Sequence, residues 1–475
     1  MTPVPHHILS DISRIVGERY VTTGAGLEPW SRDWAGTVEW SPLAVVRPAD
    51  AQQVADIVKL ANRHHLSVVP VSGNTNLVKG TQAEGALMLS LDRMSAIRQI
   101  RPDARVAIVE AGVVVQDLHD AAAEHDLIFP LSFGARGSAM IGGVLSTNAG
   151  GANVLRYGNS RDLCLGLEVV TPRGEVMNLM SALHKNNSGY DLRHLMIGAE
   201  GTLGIITAAV LKLFARPRAY ATAMVAVPSV DVALRLLNRV QDETGGAVEA
   251  FEYMPRSFVD ALLARFPEMR PPFAQSYEIS ILIELGARAP RDAVPDGEGC
   301  VPVTAHLEDV LASLYDEGLV LDAVVAQSEA QRAEIWARRE ASAQILRVRT
   351  PMVENDIAVA TDRMAELLRR INSVSQALDP DIENTGVAHL GDGNLHYVGW
   401  PSRDDPGLCR AIQKAVEAEV IALGGSFSAE HGIGMSKLPA MAAHKDATAL
   451  DMMRSIKAAV DPNGIMNPGK LIPGE

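Results

Sequence analysis

Cysteine is scarce in this chain. Cys164, Cys300 and Cys409 stand singly among 475 residues, without the paired spacings of a zinc ribbon, an iron–sulfur ligand set or a disulfide framework. Any redox chemistry therefore needs an organic cofactor. Positive charge is also in deficit: 43 Lys and Arg against 57 Asp and Glu give a net charge of -14. Such a surface repels phosphate backbones and anionic lipid, which argues against nucleic acid and membranes as partners. No apolar run is long enough to span a bilayer. The opening stretch MTPVPHHILSDISRIVGERY has no signal-peptide core and is not an Arg/Ser-rich transit peptide. A soluble, cytoplasmic protein is expected. Low-complexity segments and internal repeats are missing too.

What is present is a 47% hydrophobic chain, enough for two large cores or three smaller ones. In the first region LAVV (43–46), SVVPV (67–71), ALMLSL (86–91) and RVAIVEAG (105–112) read as strands. Between the first two a helix is predicted, N-capped by Asp50, with Val54, Ile57, Val58 and Ala61 on one face. A second helix is predicted over 115–126, and LEVVTPRGEVMNL reads as a hairpin turning at Pro172-Arg173-Gly174. Beyond Pro217 two β-α-β units follow each other, from ATAMVAV to LDAVVAQS. They predict a ferredoxin-like antiparallel sheet with helices on one face. The expected organisation is α+β: residues 1–217, 218–425, and a tail, 426–475, that returns to the first domain.

Three stretches are dense in small residues: PVSGNTNL (70–77), PLSFGARGSAMIGGVLSTNAGGANVLRYG (130–158) and IGAEGTLGIIT (197–207). Glycine lets backbone N–H groups converge on an anion and lets the chain approach a flat ring. None of the three is a G-x-G-x-x-G fingerprint or a Walker loop. One alone would read as tight turns; three, with NPGK at 467–470, point to a large bound cofactor. A second signal is VAHLGDGNLHYVGW (387–400). Asp392-Gly393 between apolar runs is a hairpin turn signal. Counting outward pairs Leu390 with Leu395 and His389 with His396, and a four-residue loop over Gly391–Asn394 gives the same register. Cross-strand partners have Cβ atoms about 5 Å apart, which suits two imidazoles on one metal ion, although both could be ordinary sheet residues. Two histidines are too few for a tight site. Glu430 in FSAEHGIG is the third candidate, and two imidazoles plus a carboxylate leave positions open for a substrate. These donors suit Zn²⁺, Mn²⁺ or Fe²⁺.

Together SGNTN after a strand, the 130–158 segment, GAEGTLGIIT and DPNGIMNPGKL resemble the vanillyl-alcohol-oxidase/p-cresol-methylhydroxylase type of FAD-binding flavoproteins. HLGDGNLH, AEHGIG and NPGK resemble its D-2-hydroxyacid dehydrogenase branch, which includes D-2-hydroxyglutarate and D-lactate dehydrogenases and the glycolate oxidase flavin subunit. The resemblance spans about residues 40–472. It implies FAD held between two subdomains of the first domain, without a covalent link, since Asn74 offers none. Pro70, Ser72, Gly73, Asn74, Thr75, Asn76 and Leu77 would wrap the pyrophosphate. Pro130, Leu131, Gly137, Ser138, Gly142, Gly143, Ser146, Thr147 and Asn148 would line the adenine and flavin track. Glu200, Gly201 and Ile206 would hold the adenine side, and Asn467 would approach the flavin. The resemblance also implies Zn²⁺ on His389, His396 and Glu430, a substrate whose C2 hydrogen passes as hydride to the flavin, and an electron-transfer flavoprotein, quinone or cytochrome as acceptor. A homodimer is expected on the same ground. His431 is the candidate base, since a neutral histidine can take a proton from a metal-activated hydroxyl. Arg339 in EIWARREAS is the candidate carboxylate clamp, sharing a helix face with Trp336, Glu340 and Ala343 while Arg338 turns away.

Three positions depart from the D-2-hydroxyglutarate pattern: Ala343 for Thr, Glu354 for Lys, and Val398 for Asn. Glu354 is expected to repel a distal carboxylate, so a D-lactate-like or bulkier 2-hydroxyacid is expected rather than D-2-hydroxyglutarate. Two rivals stay open: a flavin oxidase of another alcohol using oxygen, and a non-catalytic flavin-carrying subunit.

Overall fold

The structure, a computed structural model, describes residues 6–34, 36–297 and 299–474; part of the opening stretch read above lies outside them. The chain forms two compact units, one of Met1–Gly150, Gly158–Ala215 and Glu430–Glu475, the other of Gly151–Tyr157 and Arg216–Ala429. Among the described residues no helix is long and apolar enough to cross a membrane.

In the first unit, strands Ala44–Val46 and Val68–Val71 both pair in parallel with Leu87–Ser90. The helix Ala51–His64 makes the crossover. It starts where Asp50 accepts the Gln53 N–H at 2.8 Å, satisfying an amide that the first helical turn leaves open. Val54, Ile57, Val58 and Ala61 are buried as one stripe against the sheet. A second sheet orders Ile97–Arg101, Val106–Glu110, Ile205–Lys212, Cys164–Val170 and Val176–Leu179, all antiparallel. Its last hairpin turns at Gly174, φ +75°. The second predicted helix runs Val115–Ala123. The C-terminal chain joins the first sheet, where the Asn467 N–H donates to the Val68 carbonyl at 2.8 Å.

The second unit is built on an antiparallel sheet of seven described strands: Asp322–Val325, Ala219–Ala226, Ile279–Ala287, Val248–Pro255, Glu383–His389, Asn394–Trp400, Val353–Ala358. The first four have the ferredoxin-like order that the sequence predicts, and the other three extend it. Helices Val230–Glu243, Pro302–Asp316, Met364–Leu378 and Pro406–Ala422 cover one face. The expectation of helices on one face only needs correction. Arg256–Arg265, Glu329–Glu340 and Ser342–Leu346 bury Phe258, Leu262, Ile335 and Ile345 against the other face. The strands require it: Val225 and Ile283 point one way, Met224 and Leu282 the other, and a sheet apolar on both sides must be covered on both. On this second face polar residues interrupt the apolar rows at Glu252, Glu284, Asp356 and His396.

Candidate functional site

The histidine hairpin is in a different register from the one predicted. His389 pairs with Asn394, and His396 with Val387, two residues from the expected pairing. The loop is Leu390–Gly393, closed by the Asp392 and Gly393 N–H groups donating to the His389 carbonyl at 3.2 and 3.1 Å. The predicted two-residue turn needs positive φ at both centres; Gly393 has it, at +81°, and Asp392 does not. A shift of two preserves side-chain parity, where a shift of one would not. Both imidazoles thus remain on one face, now diagonal, with ring centroids 5.4 Å apart and edge to face.

Around this pair lie groups that the sequence reading did not select. Glu252, fully buried, is the cross-strand partner of His389. Its Oε1 lies 2.7 Å from His389 Nδ1, and its Oε2 accepts Arg339 Nε–H at 2.7 Å. Burial pushes the Glu252 carboxyl up, but His389 and Arg339 outweigh it and hold it below its ordinary value. Asp356, also buried, pairs across the ladder with His396; its Oδ1 lies 3.8 Å from His396 Nδ1 and accepts the Asn394 amide at 3.0 Å. Acidic residues inside otherwise apolar strands, as in AVEAFEYM, are the signal that could have found Glu252, because carboxylates are rarely buried unless paired.

The candidate clamp sits on helix Glu329–Glu340. Arg339 spends Nε on Glu252 and Nη1 on Ser342 Oγ, 3.2 Å; Nη2 makes no hydrogen bond among the described residues. Arg338 is buried as well, donating to the Arg270 carbonyl and to Glu334, so the two arginines do serve different partners. Ala343 is not on that helix: the chain breaks at Ala341 and Ala343 belongs to Ser342–Leu346. Arg347 Nη2 donates to both Glu354 oxygens, at 2.8 and 3.0 Å. The charge of Glu354 is compensated, so the expected repulsion of a distal carboxylate loses its simplest form.

In the first unit the glycine-rich stretches converge. A Cβ on Gly73 would lie 2.1 Å from the Ser138 carbonyl oxygen, one on Gly142 3.2 Å from Ser72 Oγ, and one on Gly201, φ +72°, 2.5 Å from Pro70. Asn74, Asn148, Glu200 and Asn467 adopt positive φ, costly for residues other than glycine and concentrated at functional segments. Asn76 turns inward, its Oδ1 accepting the Val78 and Gly80 N–H groups. Asn74 Oδ1 accepts the Thr81 hydroxyl. The Ser146 and Thr147 hydroxyls donate to their own helix at Gly142 and Gly143. Asn148 Oδ1 accepts the Arg161 N–H. Pro130 and Leu131 are buried after strand Leu127–Ile128, whereas Gly137 and Ser138 are exposed. Thr75 and Leu77 are half-buried, and Ile206 is buried in its strand.

The Glu200 side chain is engaged within the protein. Its oxygens accept the Ile433 and Gly434 N–H groups at 2.7 and 2.8 Å, fixing the loop that follows Glu430 and His431. Burial raises its carboxyl above the ordinary value, and those two bonds only partly offset it. Asn467 Nδ2 donates to the Gly80 and Glu200 carbonyls, while its Oδ1 is buried with no partner among the described residues. That orphan acceptor and the side-chain-free cradle at Gly73 and Gly142 fit a bound dinucleotide whose edge carries donors. Glu430 and His431 offer ligand atoms within 4.8 Å of each other, and Asp356 and His396 do the same; among the described residues the expected ligand His389 joins no such group. The Ala429 N–H donates to the Asp356 carbonyl at 3.2 Å, and Glu430 is the next residue along the chain.

Comparison with known proteins finds two family matches. Residues 42–180 match the FAD binding domain family and residues 216–471 the C-terminal domain of FAD linked oxidases. The chain is similar to a D-2-hydroxyglutarate dehydrogenase of Xanthomonas citri pv. viticola, 35% identical over 98% of this chain and 96% of the relative. It is also similar to a mitochondrial D-2-hydroxyglutarate dehydrogenase of Bos taurus, 34% identical over 98% and 83%. In fold it matches p-cresol methylhydroxylase with a TM-score of 0.74, at 16% identity over 98% of this chain and 96% of that one. On the strength of two matched domains and relatives that span nearly its whole length, the protein belongs to the FAD-linked oxidases, a family of flavin-dependent oxidoreductases.

Proposed function

We propose that the protein is an FAD- and divalent-metal-dependent D-2-hydroxyacid dehydrogenase, producing the 2-oxoacid. Bound FAD supplies a two-electron acceptor that takes hydride at N5. A divalent cation supplies Lewis acidity, which makes a coordinated hydroxyl easier to deprotonate. Pro70 to Leu77, with Pro130, Leu131, Gly137, Ser138, Gly142, Gly143, Ser146, Thr147, Asn148, Glu200, Gly201, Ile206 and Asn467, would hold the FAD, without a covalent bond. His389, His396 and Glu430 hold the cation, Zn²⁺ before Mn²⁺ or Fe²⁺, and Asp356 stands beside His396. The Nη edge of Arg339 binds the substrate carboxylate, and His431 takes the C2 hydroxyl proton. The observation that carries this reading is Arg339: a buried guanidinium anchored at Nε, with donors to spare, on the same sheet face as two imidazoles.

The proposed substrate is a D-lactate-like or bulkier 2-hydroxyacid in preference to D-2-hydroxyglutarate. What supports it is the pairing of Glu354 with Arg347, an acid already engaged where the D-2-hydroxyglutarate pattern has a cation, together with the missing hydroxyl at Ala343. An electron-transfer flavoprotein, quinone or cytochrome as acceptor, a homodimer and a cytoplasmic location complete the reading. The three free cysteines suit a reducing compartment. An anaerobic panel of D- and L-2-hydroxyacids, read by flavin bleaching, tests it. D-lactate or a bulkier D-acid should bleach faster than D-2-hydroxyglutarate; no bleaching by any acid would favour the non-catalytic flavin carrier.

A further inference from the structure

The helix Glu329–Glu340 is fastened to the sheet by two buried carboxylates of adjacent strands, and the two are built differently. Glu284 is saturated: it accepts both Arg332 nitrogens at 2.7 and 2.8 Å, Trp336 Nε1–H at 2.7 Å and the Thr222 hydroxyl at 2.7 Å. All of these partners belong to the framework. Glu252, on the next strand, divides its two oxygens between Arg339 and His389. Arg332, Trp336 and Arg339 fall at i, i+4 and i+7, one face of the helix, so both glutamates dock the same surface. Docking alone needs only the first.

We infer that Glu252 is a positioning residue, one carboxylate that sets both the direction of the Arg339 fork and the tautomer of His389. The inference rests on the proposed roles of those two residues and extends them. A carboxylate facing Nδ1 keeps the proton on that nitrogen and turns the lone pair of Nε2 outward, the form in which an imidazole binds a metal ion. Holding Nε–H of Arg339 leaves the two Nη groups, one steadied by Ser342, to meet a carboxylate side by side. Glu252 itself is too buried to touch the substrate, and both its oxygens are occupied. Cation and substrate carboxylate are thereby indexed to one rigid group.

The test uses the FAD-loaded enzyme with three variants: Glu252→Gln, the double variant Glu252→Met with Arg339→Met, and Glu284→Gln. The double variant removes the buried ion pair as a unit, which cores often tolerate when loss of one partner is not tolerated. Zn²⁺ affinity is read by competition with a chromogenic chelator, and KM for D-lactate is read separately. In Glu252→Gln, Zn²⁺ affinity should fall about 10–100-fold, the usual effect of losing a partner behind a metal-bound histidine, with KM raised and the flavin spectrum unchanged. The double variant should repeat the Zn²⁺ loss. Glu284→Gln should melt earlier yet keep wild-type Zn²⁺ affinity. Wild-type Zn²⁺ affinity in both Glu252 variants would overturn the inference, as would an equal loss in Glu284→Gln. A wild-type protein that itself binds no Zn²⁺ overturns instead the metal reading from which the inference starts. The histidine-selective ¹⁵N spectrum then decides on Glu252: a His389 tautomer that changes in the double variant supports it, and one that stays the same overturns it.

Discussion

The two units meet their chemical tasks with different materials. In the first, the candidate cofactor cradle is made of backbone: glycines where any Cβ would collide, non-glycine residues held at positive φ, and amides pinned by Asn76 and Glu200. In the second, it is made of side chains: Glu252, His389, His396, Asp356 and Arg339 projecting from alternate positions of neighbouring strands and one helix. A backbone cradle is written locally, in a run of residue types. A side-chain site is written in pairings between strands far apart in sequence, and its geometry depends on register.

The largest effect that separates the two should come from His396→Ala. It removes a proposed metal ligand and leaves the glycine-rich segments of the first unit unaltered. Hydroxyacid-driven flavin reduction should disappear while FAD content stays at the wild-type level; loss of FAD would blur the division. Gly73→Ala is the converse lesion. Its methyl would sit 2.1 Å from the Ser138 oxygen, a contact that only a backbone shift can relieve. FAD content should drop by about tenfold or more, since a shift of that kind typically costs 1–3 kcal/mol, and Zn²⁺ binding should survive.

Arg339→Ala is expected to raise KM for the hydroxyacid roughly 30–100-fold. It should also destabilise the fold by about 3–5 kcal/mol, because Glu252 is left as a buried charge short of a partner. A KM change without a fall in melting temperature would mean that Glu252 is less buried than described. A smaller effect concerns pH. Glu200 has its carboxyl raised above 4.5 by burial, so the native state holds that proton longer than the unfolded chain does. Its contribution is complete below that value and is lost as pH rises through the raised pKa. Across that window the contribution of Glu200 should fall on going up in pH, so the melting temperature of the wild type should decline relative to that of Glu200→Gln. Smallest of all, Asp50→Ala should cost about 1 kcal/mol, the common value of one helix N-cap, with no change in FAD or Zn²⁺ binding.

How much of this was legible in the sequence follows the same division. The Asp50 cap, the stripe from Val54 to Ala61, the Gly174 turn and the glycine-rich stretches could all be read because each is a local pattern with a local cause. The face shared by His389 and His396 was legible too, since parity survives a two-residue slip. Their pairing was not, because a four-residue loop can close over Leu390–Gly393 as well as over Gly391–Asn394, and the sequence does not say which. Glu252 was invisible for a deeper reason. Its importance lies in meeting His389, 137 residues away, and Arg339, 87 residues away. Glu354 was seen, but Arg347, which pairs with it from the end of helix Ser342–Leu346, was not. Glu200 was noticed as a member of a motif, and only the fold shows its carboxylate spent on the amides of Ile433 and Gly434.

The central claim is that hydride leaves the substrate only while a divalent cation is held by the imidazole face. The direct measurement is anaerobic stopped-flow bleaching of the flavin by D-lactate, or by the best acid of the panel, in FAD-loaded protein before chelation, after chelation, and after Zn²⁺ is restored. Bleaching is expected first, then its loss at unchanged FAD content, then its recovery. Bleaching at the same rate in the chelated protein would contradict it.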